Sequence, residues 1–145
     1  MKISIAYAPD DNYVNQTVVS MKSALEHNKQ VEFIIMYSKL SAESMQKLGA
    51  VGGCLRLIKM DENQFADLTL SKWVTVQAWF RIKLPDLCKD LDKVLYLDWD
   101  TLIRGNLDEL FSMGLTDKYL AGVKDVWGVS KYVKRLDMKS GVYVN

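Results

Sequence analysis

The chain has 145 residues, of which 49% are hydrophobic and 26% are charged, a composition typical of a single globular domain with its own core. Nineteen basic and 18 acidic residues leave a net charge of +1, which gives no support to a nucleic-acid or membrane-surface partner. No apolar run approaches the roughly 20 residues of a transmembrane helix, and the opening MKISIAYAPDD turns acidic too early for a signal peptide.

The predicted elements alternate between strands and helices. Short β-rich runs predict strands, and apolar residues at spacings of three and four predict helices. In chain order, the predicted strands are Lys2–Ala8, Val31–Tyr37, Cys54–Lys59, Lys93–Leu97 and Tyr119–Val123. The predicted helices are Tyr13–His27, a short one capped by Ser41 and running through Leu48, Val74–Leu84 ended by Pro85, and a turn from Asn106. This alternation predicts one α/β domain over residues 1–145 with a largely parallel sheet.

Acidic residues follow three of the predicted strands. Asp10 and Asp11 follow the first, Asp98 and Asp100 the fourth, and Asp125 the fifth. Ligands of open α/β sheets bind outside the carboxyl ends of the strands, so we expect these acids to gather at one edge. Because clustered carboxylates repel one another, such a cluster implies a cation or a shared proton.

Asp98 and Asp100 form a D-x-D pattern that suits a hard divalent cation. On a regular strand, residues i and i+2 point to the same face, so both carboxylates would reach one ion. Oxygen ligands favour Mg²⁺ or Mn²⁺, which bind through one or two carboxylates plus substrate phosphates. The chain has no zinc-type cluster, and we expect its one histidine, His27, at the surface or the helix end. On spacing alone, the alternative is that Asp98 is a turn residue and Asp100 a loop acid.

The two cysteines, Cys54 and Cys88, lack the C-x-x-C spacing of a redox or metal motif. We expect both to be reduced, buried thiols. Such thiols are typical of a cytoplasmic protein.

Two long segments carry a family resemblance, KVLYLDWDTLIRGNLDELF (residues 93–111) and IAYAPDDNYVNQTVVSMKSALEHN (5–28). The first resembles the D-x-D segment of glycosyltransferase family 8, and the second resembles the first strand, loop and helix of that family. The order and spacing of the segments also agree with the family. QAWFRIKLPDL (77–87) is similar to the helix that carries an arginine before an apolar-Leu-Pro step. AGVKDVW (121–127) and SGVYVN (140–145) are similar to two later segments.

The resemblance implies a fold and a chemistry. The fold would be the A-type glycosyltransferase fold, a Rossmann-like, mostly parallel sheet flanked by helices. The activity would be metal-dependent, retaining transfer from a UDP-sugar, commonly of glucose or galactose, to a saccharide or cell-surface acceptor, as in lipopolysaccharide biosynthesis. The cofactor would be Mn²⁺ or Mg²⁺.

The resemblance also implies roles for individual residues. Asp98 and Asp100 would hold the metal against the diphosphate, and Arg81 would reach the phosphates or donor sugar. Asp10, Asn12 and Tyr13 would bind the nucleoside, with the Tyr13 ring available to stack on uracil, and Asp125 would bind sugar hydroxyls. The complete nucleotide-sugar set is Ala8, Asp10, Asn12, Tyr13, Arg81, Asp98, Trp99, Asp100 and Asp125. No catalytic residue is assigned.

Each of these side chains also has a structural interpretation. Asp10 and Asp11 would cap the first helix. Tyr13 would pack at the start of that helix, Arg81 would lie on a solvated helix face, and Asp125 would be an ordinary loop acid.

The sequence departs from the family pattern in two ways. Met138 and Lys139 stand where the family usually has Phe-Asn before Ser-Gly-Val. Family members are also longer, so we expect a truncated domain that lacks the C-terminal acceptor part and the histidine that completes the metal site. The alternative function is therefore an inactive nucleotide-binding fragment without turnover. A related expectation is that the chain self-associates or that a partner chain completes the domain.

Two other classes of protein also carry acidic residues directly after a strand, namely haloacid-dehalogenase-like phosphatases and phospho-receiver domains. A haloacid-dehalogenase-like phosphatase would use the first acid of D-x-D-x-T as a nucleophile, but Thr101 follows Asp100 directly. A phospho-receiver domain would carry its phosphoacceptor much earlier in the chain than Asp98. Both patterns fit the sequence less well than the glycosyltransferase pattern.

Overall fold

The computed structural model of the chain describes residues 1–68, 75–116 and 118–123. The chain divides into two compact units, Met1–Ser112 and Met113–Asn145. Every helix and strand of the described residues lies in the first unit. The assignment of residues 1–145 to one functional domain stays a prediction. Within the described ranges, each helix is too short or too polar to cross a lipid bilayer.

In the described part of the first unit, four parallel strands form the sheet. They are β1 (Ile3–Tyr7), β2 (Val31–Tyr37), β3 (Cys54–Lys59) and β4 (Leu95–Tyr96), in the spatial order β3-β2-β1-β4. In the centre of the sheet, Ile5 lies opposite Phe33 on one side and Leu95 on the other. The predicted α/β architecture with a parallel sheet is confirmed. Strand order reverses between β1 and β4, which is where ligands bind in open α/β sheets.

Within the residues that the structure describes, four helices connect these strands and a fifth follows β4. They are α1 (Val14–His27), α2 (Ala42–Gly49), α3 (Val76–Phe80), α4 (Leu84–Leu87) and α5 (Asp108–Ser112), with single 3₁₀ turns at Glu62–Phe65 and Arg81–Lys83. As predicted, Ser41 caps α2, because its hydroxyl accepts a hydrogen bond from the backbone N–H of Ser44.

The core consists of two apolar layers, one on each face of the sheet. Alternation along β1 explains the division, since Ile5 and Tyr7 enter one layer and Ala6 enters the other. Helix α1 covers the first layer through residues such as Met21, and α3 covers the second through Phe80. Full burial of a large apolar side chain contributes roughly 1.5–3 kcal/mol, so these layers fix the sheet that carries the site.

The predicted helix Val74–Leu84 is not one continuous helix over its described residues, and Val74 itself lies outside them. Helix α3 ends at Phe80, a 3₁₀ turn follows, and α4 begins at Leu84 with Pro85 in its first turn. Proline lacks the backbone N–H that a helix interior needs, but the first turn does not use that N–H. Pro85 therefore lies in the first turn of a helix and does not end one.

Two further predictions are wrong. The described residues Tyr119–Val123 form no strand, and the side chains of Tyr119, Leu120 and Val123 are exposed, so they lack the packed face that stabilises an extended segment. Both cysteines are free, as expected, but Cys54 is exposed and only Cys88 is buried. Cys54 is the first residue of β3, which lies at an edge of the described sheet.

Candidate functional site

The candidate site lies where two loops leave neighbouring strands. Residues 8–13 follow β1 and residues 97–101 follow β4. The ladder between the strands continues past β4, because the N–H of Leu97 donates to the carbonyl of Ala6 at 3.0 Å. The loops therefore begin side by side at the point where strand order reverses, which is the position that the acidic residues predicted.

The D-x-D segment is a turn and not a continuation of the strand. Trp99 and Asp100 lie in the turn, and the hydroxyl of Thr101 donates to the carbonyl of Asp98 at 2.8 Å. The same-face geometry of a regular strand therefore does not apply to the two carboxylates. Both Asp98 and Asp100 are exposed, so each is accessible to a ligand.

A chain of hydroxyls, buried at Tyr7 and Ser20 and partly buried at Thr101, supports this turn. The hydroxyl of Tyr7 in β1 lies 2.8 Å from that of Ser20 in α1, which lies 3.0 Å from the hydroxyl of Thr101. Burial raises the pKa of Tyr7 to about 12, although the hydrogen bond with Ser20 lowers it, so Tyr7 stays neutral at physiological pH. The turn is thus tied to both the sheet and the first helix.

Helix α1 also holds the segment that follows the turn. The hydroxyl of Ser23 accepts a hydrogen bond from the N–H of Ile103 at 2.9 Å, and the side-chain oxygen of Asn28 accepts one from the N–H of Leu107 at 2.8 Å. Sequence reasoning missed these positioning residues. The available signal was the presence of Ser20 and Ser23, three residues apart, on the apolar face of the helix.

Arg81 reaches the first carboxylate of the turn. Its Nε donates to the carbonyl of Ala78 at 2.7 Å, its guanidinium lies 4.6 Å from the ring centroid of Tyr96, and its Nη2 lies 3.7 Å from Oδ1 of Asp98. Burial raises the pKa of Tyr96 to about 12 against the lowering effect of Arg81. Arg81 is therefore oriented toward the site and does not lie on a purely solvated helix face.

Tyr13 and Trp99 join the two loops through their rings. The ring centroids are 3.6 Å apart and the planes differ by 13°, so the rings are stacked. Both residues are partly buried. The interpretation of Tyr13 as a packing residue is therefore supported in this state, although its partner is the D-x-D tryptophan and not the core.

The acids of the first loop do not cap α1. That helix begins after Tyr13 without a side-chain cap, and the carboxylate of Asp10 accepts a hydrogen bond from the N–H of Asn12 at 2.8 Å. Asp11 accepts from the N–H of Ser41 at 2.9 Å and thereby supports the start of α2. The Ser44 hydroxyl and the Ser41 N–H hold the pKa of Asp11 below its ordinary value. Ala8 lies beneath the loop and is buried in the second core layer.

The carboxylate ligands at the turn suit an Mg²⁺ or Mn²⁺ ion that also binds substrate phosphates better than a metal ion coordinated by protein side chains alone. The described ranges contain no group of three or more His, Cys, Asp or Glu side chains able to hold an ion. Two exposed carboxylates leave most coordination positions for phosphate oxygens and water, which is how these cations bind beside phosphorylated substrates. Asp125, Met138 and Lys139 lie outside the described residues.

Comparison with known proteins gives one family over nearly the whole chain. The family model for glycosyl transferase family 8 matches residues 4–143. Glycosyltransferase GlyF of Streptococcus pneumoniae serotype 4 is 30% identical over 131 residues, covering 88% of this chain and 33% of GlyF. The lipopolysaccharide 1,2-glucosyltransferase of Escherichia coli is 30% identical over 141 residues, covering 92% of this chain and 42% of that protein.

Solved structures show the same architecture. The galactosyltransferase LgtC, crystallised with donor and acceptor sugar analogs, matches with a TM-score of 0.90 and 29% identity over 99% of this chain and 55% of LgtC. The apo form of GlyE from S. pneumoniae matches with a TM-score of 0.69 and 28% identity over 90% of this chain and 31% of GlyE. The predicted A-type glycosyltransferase fold is confirmed. The chain spans between about a third and a half of the length of these relatives.

Proposed function

Because this chain belongs to glycosyl transferase family 8, we propose that it forms the donor-binding part of a metal-dependent, retaining glycosyltransferase. The donor is a UDP-sugar, with glucose or galactose as the sugar, and the acceptor is a saccharide or cell-surface glycan. The names of two relatives, a lipopolysaccharide glucosyltransferase and a galactosyltransferase, support these two hexoses and this acceptor class. Retention of configuration is an expectation from the family.

The observation that carries the proposal is the arrangement of charge at the D-x-D turn. Two exposed carboxylates, Asp98 and Asp100, lie in one turn, and a cation–π contact with Tyr96 and a backbone hydrogen bond hold Arg81 beside the first. A site with both signs of charge suits a metal and a polyanion together. Asp98 and Asp100 would hold Mn²⁺ or Mg²⁺, which when bound stabilises the negative charge on the leaving diphosphate.

Arg81 has the geometry for a direct role toward that diphosphate. Its distance of 3.7 Å from Asp98 is longer than a charge-assisted hydrogen bond of about 2.7–2.9 Å. Its side chain is 39% exposed, so guanidinium N–H groups remain accessible. We assign Arg81 to the phosphates or the donor sugar, where a fixed positive charge stabilises the developing negative charge of the leaving group without a proton transfer.

The loop after β1 is assigned to the nucleoside. Asp10 and Asn12 form a tight hydrogen-bonded turn, which presents the next residue, Tyr13, at the start of α1. We assign Asp10 and Asn12 to polar groups of the nucleoside and the Tyr13 ring to the base. Acceptor recognition is assigned to residues outside this donor site, either of the same protein or of a partner chain or second copy.

We assign the reaction to the cytoplasm. The two free cysteines support this placement, since thiols stay reduced in that compartment.

Calorimetric titration with UDP tests the proposal, in Mn²⁺ and in a chelator, with the wild type and Asp98→Ala. We expect binding that requires Mn²⁺ and that Asp98→Ala abolishes. Asp86→Ala is the matched control, because Asp86 is also exposed and paired with a basic side chain but lies in α4. Equal UDP affinity in Mn²⁺ and chelator, or in wild type and Asp98→Ala, contradicts the proposed site.

A second assay separates an enzyme from a binding fragment. Release of UDP from UDP-glucose or UDP-galactose, with and without saccharide acceptors, measures turnover directly. Metal-dependent UDP binding without any release would favour the alternative of a nucleotide-binding protein without turnover.

A further inference from the structure

We propose that Trp99 closes the nucleobase site of the ligand-free protein by covering a ring face of Tyr13, so that an incoming uracil must displace the indole. This inference rests on the proposed function, which assigns Tyr13 to the base. It makes Trp99, the middle residue of the D-x-D turn, a residue that sets donor affinity.

The stack leaves no room for a third ring. Aromatic pairs in proteins usually have centroids about 4.5–7 Å apart, whereas the centroids of Tyr13 and Trp99 are 3.6 Å apart with nearly parallel planes. The two rings are therefore in face-to-face contact. A base could stack on this face of Tyr13 only after the indole has moved away.

The backbone on both sides of the stack is held by hydrogen bonds. The carbonyl of Tyr13 accepts bonds from the N–H of Thr17 at 3.0 Å and from its hydroxyl at 2.9 Å. On the other side, Thr101 bonds to the carbonyl of Asp98 and to Ser20 in α1. Opening the stack therefore requires rotation of a side chain and not displacement of either loop.

Trp99 is better placed than Tyr13 to make that rotation. Trp99 is itself partly buried but lies between two exposed residues, Asp98 and Asp100, while Tyr13 precedes the buried first residue of α1, Val14. The indole can swing toward solvent without disturbing the core. The free energy of the stack then opposes UDP binding, and its loss should tighten binding by about 2- to 10-fold, because aromatic pairing has that order of effect.

The test is a double-mutant cycle on UDP affinity in saturating Mn²⁺, measured by calorimetry. Trp99→Leu removes the competing ring but keeps an apolar side chain in the turn, and we expect it to bind UDP about 2- to 10-fold more tightly than the wild type. In a Tyr13→Leu background, the same change should have no effect, because there is no ring face to uncover. Unchanged or weaker binding by Trp99→Leu overturns the proposal, since Trp99 would then be a bystander or part of the base site.

Acrylamide quenching of tryptophan fluorescence gives a readout that does not depend on affinity. The contribution of Trp99 is the difference between the wild type and Trp99→Leu, and we expect UDP to make that contribution more accessible to the quencher. Decreased accessibility on UDP binding would overturn the proposal. Absence of UDP binding in every folded variant contradicts the proposed function itself, whereas binding by the wild type with the wrong response to Trp99→Leu contradicts this inference alone.

Discussion

Opposite charges meet at both ends of the parallel strands, but the two clusters differ in how completely the protein pairs them. The amino-edge cluster consists of Lys2, Glu32, Arg56 and Asp90, near the amino ends of the strands. The carboxyl-edge cluster consists of Arg81, Asp98 and Asp100, at the D-x-D turn.

In the amino-edge cluster, the fold itself satisfies the charges. Glu32 is buried, yet Lys2 and Arg56 each approach its carboxylate to 3.0 Å, and Arg56 also contacts Asp90 at 2.7 Å. Burial alone would raise the pKa of Glu32, but the hydrogen bond from Lys2 and the charge of Arg56 outweigh it and leave that pKa below its ordinary value.

In the carboxyl-edge cluster, the acidic and basic side chains stay exposed to solvent and are only loosely paired. Asp98 is 56% exposed at its side chain, and its ion pair with Arg81 is 3.7 Å long. Exposed pairs of this kind contribute about 0–1 kcal/mol to folding. The amino-edge charges therefore stabilise the sheet, whereas the carboxyl-edge charges stay accessible, and variants of the two clusters should differ in whether they lose stability or UDP affinity.

The largest expected effect is on stability, from Glu32→Ala. Removing one partner of a buried ion pair costs about 3–5 kcal/mol, and we expect the lower end, about 3 kcal/mol, because Arg56 keeps its contacts with Asp90. Urea unfolding measures the change. Glu43→Ala is the matched control, since Glu43 pairs with Lys47 on an exposed helix face and should cost much less. Equal losses for the two variants would contradict the distinction between a buried and an exposed pair.

The next effect is on binding, from Arg81→Ala. We expect UDP affinity in Mn²⁺ to fall about 10- to 100-fold, because a hydrogen bond to a charged group contributes about 1.5–3 kcal/mol. Stability should change by about 1 kcal/mol or less, since the ion pair is exposed. Arg81→Lys keeps the positive charge but not the planar guanidinium. Its UDP affinity should therefore lie between those of the wild type and Arg81→Ala. A variant that loses stability but not UDP affinity would place Arg81 in the fold and not in the site.

A smaller effect is expected from Ser23→Ala, which tests the support of the D-x-D turn. The N–H of Ile103 is buried and would lose its partner, at a cost of about 1–3 kcal/mol. Ser112→Ala is the control, because Ser112 is exposed and its hydroxyl donates to the carbonyl of Asp108 within the same helix, α5. Thermal unfolding would measure both. Identical unfolding midpoints for the wild type and Ser23→Ala would show that the hydrogen bond between Ser23 and Ile103 does not stabilise the segment after the D-x-D turn.

The smallest expected effect is a pH dependence of the folding stability, which arises from Glu32 in the amino-edge cluster. Because the folded-state pKa of Glu32 lies below its ordinary value of 4.5, its contribution to stability is complete above that value and disappears as the pH falls through the folded-state pKa. The stability difference between wild type and Glu32→Gln should therefore shrink on acidification below the ordinary value. A difference that stays constant down to strongly acidic pH would contradict the lowered pKa.

Much of the fold could be predicted from sequence because the signal was local. The strands β2 and β3 have the predicted bounds, since each is a short, mostly apolar run bordered by turn residues. Local patterns failed where tertiary contacts or chain geometry decided the outcome. Pro85 has the sequence signature of a helix stop but occupies the first turn of α4, and the strand β4 comprises only Leu95 and Tyr96 of the predicted Lys93–Leu97.

At the candidate site too, local sequence patterns indicated single residues but not the contacts between distant segments. The D-x-D pattern and Arg81 stood out in the sequence, and the sheet order explains why they meet. The stack of Tyr13 on Trp99 joins two loops that are distant in sequence, so no periodicity or spacing could indicate it. The hydroxyl chain through Ser20 was hidden for the same reason, because a serine on a helix gives no sign of its partner.

The central test compares UDP affinity, in Mn²⁺ and in chelator, for the wild type, Asp98→Asn and Glu32→Gln, at a temperature where all three are folded. Loss of an outer-shell partner of a metal ligand already costs about 10- to 100-fold in metal affinity. We therefore expect Mn²⁺-dependent binding that Asp98→Asn, which alters a proposed ligand directly, weakens by about 100-fold or more, while Glu32→Gln binds as the wild type does. Wild-type affinity in Asp98→Asn, or an equal loss in folded Glu32→Gln, would contradict the claim that the carboxyl-edge charges serve the donor and the amino-edge charges serve the fold.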